Sequence, residues 1–153
     1  MLFRSHVREL GLPEPNVSWS KVAGPSVMND GLLSGALSFV STGAPSLGLL
    51  WERTRGGVRG LAAICSYPLT LVTRNPAVKS LRDFTEQDRI AVPSVKVSTQ
   101  AIMLQMAAEK AFGPGKHTAL DHLTVSLAHP DAMAALLNPT SQITTHFATS
   151  PFP

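Results

Sequence analysis

Short apolar runs alternate with helix-like segments along this chain, and turns rich in glycine and proline separate them. Ile90 to Val92, for example, is an apolar run that leads through a turn of small polar residues into a helical pattern from Ser98 to Phe112. Strands that alternate with helices build sheets that are mainly parallel and covered by helices. The sequence therefore predicts an α/β fold with mainly parallel sheets.

The turns between these segments predict the bounds of the individual strands and helices. The strands are expected at Val17 to Trp19, Ala36 to Val40, Gly60 to Ile64, Leu69 to Thr73, Ile90 to Val92, Leu123 to Leu127 and Ile143 to Phe147. The helices are expected at Phe3 to Leu10, Ser26 to Leu33, Pro45 to Arg55, Ser80 to Phe84, Ser98 to Phe112 and Pro130 to Leu137. We expect Ser26, Ser80 and either Ser98 or Thr99 to cap their helices, and Asn138 to end the last helix in a left-handed conformation.

Composition excludes several classes of function. Hydrophobic residues make up 44% of the 153 residues and charged residues 15%, so the chain has enough apolar side chains for a core. The net charge of +3 comes from scattered basic residues, and aromatic residues are only 6%, which argues against a nucleic-acid partner. A weak preference for anionic ligands is the more natural use of this charge. The single cysteine, Cys65, forms no intramolecular disulfide and belongs to no metal motif, and we expect it to be buried.

One stretch is long enough to cross a membrane but has the wrong composition. Gly31 to Trp51 is uncharged, yet ten of its residues are Gly, Ser, Thr or Pro, and Pro45 interrupts it. We interpret it as a strand, a turn and a helix. The opening residues MLFRSHVREL lack the apolar core and cleavage site of a signal peptide, so none is expected in this chain.

Two strand–turn–helix junctions are candidate binding sites. Thr42, Gly43 and Ser46 lie at the start of one predicted helix, and their hydroxyl and free N–H groups suit an anion such as sulfonate, nitrate or carboxylate. Ordinary turn formation and capping explain them equally well. Because ligands of open α/β sheets lie at strand carboxyl ends, two such turns on two lobes can close on one ligand.

The second junction follows the strand at Ile90. It contains Ser94, Lys96, Ser98 and Thr99, where hydroxyl groups, a lysine and a helix N-terminus together favour an anion. Capping of the helix, with Lys96 in solvent, remains the alternative.

Ser66 and Tyr67 follow a predicted strand where a cleft wall would lie. Tyr67 could supply an aromatic face and a donor, or pack in a core.

The histidines and serines show no catalytic or metal motif. His117, His122, His129 and His146 have spacings that match no zinc pattern, and we interpret them as loop and surface residues. No G-x-S-x-G turn is present, and GPGKHT has the wrong length and position for a phosphate-binding loop. We therefore expect no catalytic residue, no metal and no cofactor.

Four segments occur in an order that carries a family resemblance. They are DGLLSGALSFVSTGAPSL (Asp30 to Leu47), LTLVTRNPAVKSLRDF (Leu69 to Phe84), DRIAVPSVKVSTQAIMLQMA (Asp88 to Ala107) and HPDAMAALLNP (His129 to Pro139). In order and spacing they resemble the periplasmic substrate-binding proteins of nitrate, sulfonate and taurine ABC transporters, which are related to the binders of thiamine precursors. No single segment is specific; the resemblance rests on the series, which spans about His6 to Pro153.

The resemblance implies a type II periplasmic-binding-protein-like fold with two lobes of mainly parallel sheet flanked by helices, incomplete in this chain. Residues 1–86 would form the first lobe without its first strand, and residues 87–153 the start of a truncated second lobe. It implies capture of a sulfonate, nitrate, carboxylate or pyrimidine precursor in the interlobe cleft, without catalysis. It also implies a periplasmic or extracytoplasmic location, an ABC permease as partner, and a monomer when full length.

The chain also departs from the family pattern. Ser38 replaces a common acidic residue, Thr85-Glu86 stand where Lys-Gly is usual, and Asn138-Pro139 replace Ser-Gly, which bears on the subfamily more than on the fold. Two alternatives stay open: a small α/β enzyme that uses a His with a Ser or Asp, and a fragment with no independent function. The family places a cleft residue near the strand end that holds His146 and Phe147.

Overall fold

The computed structural model describes residues 7–22 and 24–149. In these ranges the chain forms four long α-helices, four strands and two 3-10 turns, and residues 7–9 are also helical. The helices are α1 (Pro25–Leu33), α2 (Ala44–Arg53), α3 (Thr99–Phe112) and α4 (His129–Leu137). The strands are β1 (Leu69–Thr73), β2 (Ile90–Val92), β3 (Thr124–Ser126) and β4 (Thr145–Thr149), and the 3-10 turns are Leu81–Asp83 and Asp121–Leu123.

The four strands form one mixed sheet in the order β1-β4-β2-β3. β2 pairs in parallel with both β3 and β4, whereas β1 pairs antiparallel with β4. The predicted α/β class is therefore confirmed, and the sheet is parallel except at β1. β1 and β4 lie on opposite sides of the predicted boundary at residue 86, so the sheet crosses that boundary.

Helices cover both faces of this sheet. Ile90 and Val92 of β2 pack with buried residues of α3, including Leu104, on one face. Ala91 points to the other face and packs with Ala132 of α4 and with Ile143. This alternation follows from the two-residue period of a strand and gives three layers.

The pairing directions place several chain ends at one edge of the sheet. Because β2, β3 and β4 are parallel, their carboxyl ends share an edge, and the antiparallel β1 begins at that same edge, where Leu69 lies opposite Thr149. The helices α3 and α4 each begin after a strand that ends there. We call this edge the carboxyl edge of the sheet.

Most elements in the second half of the chain match the sequence prediction. β1 and β2 have the predicted bounds, and Ser98 caps α3 by accepting a hydrogen bond from the Ala101 N–H at 3.2 Å. Ser80 forms a capping box with Asp83 in the first 3-10 turn. β3 is shorter than predicted, and β4 begins two residues later, at Thr145.

Three predicted strands are wrong. Val17 to Trp19, Ala36 to Val40 and Gly60 to Ile64 contain no strand, and their side chains include Phe39 and Leu61, which are 76% and 78% exposed. A strand needs a neighbour for its backbone hydrogen bonds, and the one sheet of the described chain pairs only β1 to β4. An apolar run without such a neighbour has no reason to be extended.

Smaller corrections concern helix ends and one side chain. Gly24, not Ser26, precedes α1, and Ser26 lies inside that helix. Asn138 ends α4 with φ of −84°, so it is not left-handed. Cys65 is exposed rather than buried. Of the predicted first helix, Phe3 to His6 lie outside the described residues.

Within residues 7–22 and 24–149, no helix combines the length and the apolar composition that crossing a bilayer needs.

A buried carboxylate fastens the start of β2. Asp88 is 1% exposed, and its Oδ1 accepts hydrogen bonds from Asn75 Nδ2 and Thr144 Oγ1, each at 3.0 Å. Its Oδ2 accepts from the Thr85 N–H at 3.0 Å and from Thr85 Oγ1 at 3.2 Å. Burial alone would raise the pKa of the Asp88 carboxyl, but these hydrogen bonds outweigh it and lower the pKa below its usual value.

We expect Asp88→Asn to lower the free energy of unfolding by about 1–3 kcal/mol, because an amide NH2 would face donors. In the parent, this contribution is present above the unfolded-state pKa, near 4, and is lost as pH falls through the lower folded-state pKa. Urea unfolding at pH 7 and at pH 3 measures both effects. Asp30→Asn, at an exposed position, is the matched control and should change stability by less than about 0.5 kcal/mol. Equal losses in the two variants would contradict the role of Asp88.

Candidate functional site

The N-termini of all four long helices of the described chain gather at the carboxyl edge. A Cβ added to Gly43, which precedes α2, would lie 1.8 Å from Thr99 Oγ1 in the first turn of α3. A Cβ added to Gly24, which precedes α1, would lie 3.3 Å from both Pro93 O and Ser94 Oγ in the loop after β2. The helix starts of the first half of the chain therefore touch the loop that leads into α3.

The fourth helix joins through side chains. His129, the first residue of α4, lies 3.2 Å from the amide nitrogen of Gln100 in the first turn of α3. Helices α3 and α4 lie on opposite faces of the sheet, so the Gln100–His129 contact lies beyond the carboxyl end of β2.

Three of these helix starts lack a side-chain cap. Among the described residues, α1, α2 and α4 have no side-chain hydrogen bond at the N-cap, and each has a proline in its first turn. The first N–H groups of a helix have no intrahelical acceptor and carry a partial positive charge. The cluster therefore concentrates positive potential without charged side chains.

Two predicted hydroxyls lie in this cluster. Thr42 Oγ1 is buried and has no hydrogen-bond partner within the described residues. Ser94 is buried beside Gly24. Lys96 is exposed and adopts a left-handed φ of 65°, in a loop held by a hydrogen bond from the Val95 N–H to Ser126 Oγ at 3.0 Å.

The other two serines of the junctions have structural partners. Ser46 Oγ, 1% exposed, donates to Asn29 Oδ1 at 2.7 Å and so joins α2 to α1. Ser98 is fully buried as the cap of α3. Ser46 and Ser98 thus shape the helix starts with side chains that are already paired.

Ser66 and Tyr67 are exposed in the segment before β1. They precede a strand rather than follow one, contrary to the prediction. Because β1 is antiparallel, its amino end still lies at the carboxyl edge, so both residues share that edge with Ser94 and Thr99.

A partly exposed histidine, His129, contacts a buried one, His146, and the sequence prediction missed this pair. His129 Nδ1 lies 2.9 Å from His146 Nε2, and His146 is 1% exposed in β4. His117 and His122 are exposed, as predicted for all four. The prediction of loop and surface positions is therefore wrong for His146, and His129 is only partly exposed.

The hydrogen-bond donors determine the arrangement of protons in this chain of side chains. The Gln100 amide nitrogen can only donate, so with this orientation Nε2 of His129 accepts and its Nδ1 carries the proton that goes to His146 Nε2. Burial lowers the pKa of both His129 and His146, and the neighbouring His129 lowers that of His146 further. Both rings are therefore neutral at pH 7.

The enzyme alternative would be supported by His129 or His146 lying beside a carboxylate with a shifted pKa. The carboxylates with lowered pKa values are Asp83 and Asp88, and both are held by other residues, in the Ser80 capping box and before β2. Across residues 7–22 and 24–149, no group of three His, Cys, Asp or Glu side chains is placed to hold a metal ion. Two surface depressions contain none of the predicted site residues; one is lined by Gln87, Arg89, Ser141, Gln142 and Thr144, the other by residues of β1 and 78–84.

The Gly43–Thr99 contact yields a prediction. Gly43 has φ of −79°, which alanine adopts freely, so Gly43→Ala should destabilise only through its clash with Thr99. We expect a loss of about 1–3 kcal/mol in urea unfolding. The double variant Gly43→Ala with Thr99→Gly removes the clashing atoms and should show favourable coupling, measured relative to the two single variants. Additive effects would contradict direct contact between the two helix starts.

Comparison with known proteins found no match: no protein-family model, no curated protein and no solved structure matches the chain.

Proposed function

We propose that this chain binds a small anionic or zwitterionic solute at the carboxyl edge, without catalysis, as the solute-binding component of an ABC importer. In this proposal the fold is type II periplasmic-binding-protein-like, residues 1–86 belong to the first lobe, and residues 87–153 begin the second. The protein then acts outside the cytoplasm and delivers its solute to a membrane permease.

One observation carries the proposal: the start of α2 meets the start of α3 through Gly43 and Thr99. These residues come from two separate junctions, each of which is a candidate anion site in the sequence. A shared location gives one ligand N–H groups from both segments, which is what closure of two lobes on a solute requires.

The composition of the cluster limits the solute. It offers helix N-termini, the hydroxyl of Thr42, which has no partner among residues 7–22 and 24–149, and the exposed Lys96, which suit one small anionic group. Sulfonates, nitrate and carboxylates have such a group, whereas a pyrimidine precursor would present a ring. Tyr67 at the same edge offers an aromatic face for a ring.

A thermal melt with a ligand panel tests the function. The panel contains taurine, alkyl sulfonates, nitrate, benzoate and pyrimidines, each in large excess at constant ionic strength. A ligand at 100 times its dissociation constant adds about 2.7 kcal/mol of stability, so the midpoint should rise clearly with one compound. A cooperative melt that no compound shifts would contradict the proposal.

Paired lysine variants separate site binding from general charge. Lys96→Ala removes a cation beside the cluster, whereas Lys116→Ala removes one after the far end of α3, and both side chains are exposed. We expect the first to weaken binding of the active compound about threefold, as suits a solvent-exposed charge, and the second to leave it unchanged. Equal weakening by both variants would point to net charge rather than to this site.

A further inference from the structure

We propose that the chain of Gln100, His129 and His146 takes up one proton on His129, and that this proton strengthens anion binding at the carboxyl edge. The inference rests on the proposed function, because the anion it concerns is the one bound there. It adds control of anion affinity by a proton. The side chains responsible, Gln100, His129 and His146, are not among the candidate residues of the two junctions.

The network has the geometry of a proton acceptor. His129 lies between two partners, with Nε2 at 3.2 Å from the Gln100 amide nitrogen and Nδ1 at 2.9 Å from His146 Nε2. His129 is partly exposed, so a proton from solvent can reach it, whereas His146 and Gln100 are buried.

Rotation of the Gln100 side-chain amide by 180° accommodates the added proton. In the neutral state the Gln100 NH2 group donates to Nε2 of His129. When a solvent proton adds to Nε2, rotation of the amide by 180° places Oε1 of Gln100 there as an acceptor. His129 then donates from Nε2 to Gln100 and from Nδ1 to His146, so the cation keeps both hydrogen bonds and no bond to the backbone is broken.

The helix N-termini near the His129 ring explain why an anion would favour this proton. The ring lies at the N-terminus of α4 and beside that of α3, whose partial positive charges oppose a cation. The elements packed around His129 carry other charged groups. Asp131 lies on α4, Lys96 lies before α3, and Glu109 and Lys110 lie near the end of α3. Asp88 and Arg89 precede β2, and Arg74 follows β1. Asp131 is exposed; Asp88 is held by its own four hydrogen bonds; Arg89 contacts the Glu86 and Asp88 carbonyls; and Arg74 donates to the Asn138 and Ser141 carbonyls.

The direction of the linkage follows. In the empty protein the lowered pKa of His129 keeps it neutral, and an anion at the edge raises that pKa by stabilising the cation. Between the two pKa values, anion binding takes up a proton, so affinity rises as pH falls. We expect the compound identified by the melt to bind about fivefold or more tightly at pH 5.5 than at pH 7.5.

The first test needs no ligand. Histidine ring signals of the whole chain, followed by NMR between pH 4.5 and 8, should show His129 protonating with a pKa below the usual value of a histidine, and His146 responding at the same pH. Gln100→Glu places a carboxylate beside His129 and should move its midpoint upward by about one pH unit or more. A His129 midpoint unaffected by Gln100→Glu would overturn the inference.

The second test measures the affinity of the same compound, for example taurine or nitrate, by calorimetry at pH 5.5 and 7.5. Gln100→Met keeps the length of the side chain but offers Nε2 only a weak thioether acceptor, so it should reduce the gain at low pH while binding at pH 7.5 persists. His129→Gln should abolish the gain, and His117→Gln, which removes an exposed histidine, should retain it.

The outcomes separate the inference from the proposed function. Binding that is equally tight at both pH values overturns the proton linkage and leaves solute binding intact. Failure of every compound to bind at either pH overturns the proposed function, and the linkage falls with it. A gain at low pH that His129→Gln abolishes and His117→Gln keeps supports both.

Discussion

Backbone pairing of β2 with strands on both sides is the constraint on which the rest of the structure depends. All three of its residues are fully buried, which is possible because β3 and β4 satisfy its hydrogen bonds and helices cover both faces. Ile90 and Val92 place α3 on one face, and Ala91 places α4 on the other. The parallel directions then bring the starts of both helices to one edge. Three residues thus decide where the positive ends of the helices meet.

At the carboxyl edge of the sheet, several hydrogen-bonding groups have few partners. Thr42 Oγ1 is buried without a described partner, and the first N–H groups of α1, α2 and α4 have no side-chain cap. A solute anion would satisfy such groups. Around them, Ser46 with Asn29 and Ser98 as a cap are fully paired and hold the helix starts in position. Paired serines thus surround helix starts without side-chain caps, which is the physical basis for proposing binding rather than catalysis.

Parts of the chain followed local rules and were predictable. Ser98 and Ser80 cap their helices because a hydroxyl before a helical pattern meets free N–H groups, whatever the rest of the fold does. Ala36 to Val40 shows the limit of the same reasoning. It is as apolar as Leu69 to Thr73, but only the second segment has a partner strand, about seventy residues away, and only the second forms a strand. Apolar composition makes a strand possible, and pairing decides whether it forms.

The sequence by itself determined the α/β class, the elements from β1 onward and the two junctions rich in hydroxyl groups. Each of these depends on neighbours within a few residues, so each is readable along the chain. Only the tertiary structure decided that Gly43 contacts Thr99, that Tyr67 lies at the carboxyl edge, and that His129 contacts His146. The histidine pair requires both the register that sets His146 opposite Ala91 and the placement of α4 over that face. Such contacts arise from strand order and helix packing, which no local spacing of histidines encodes.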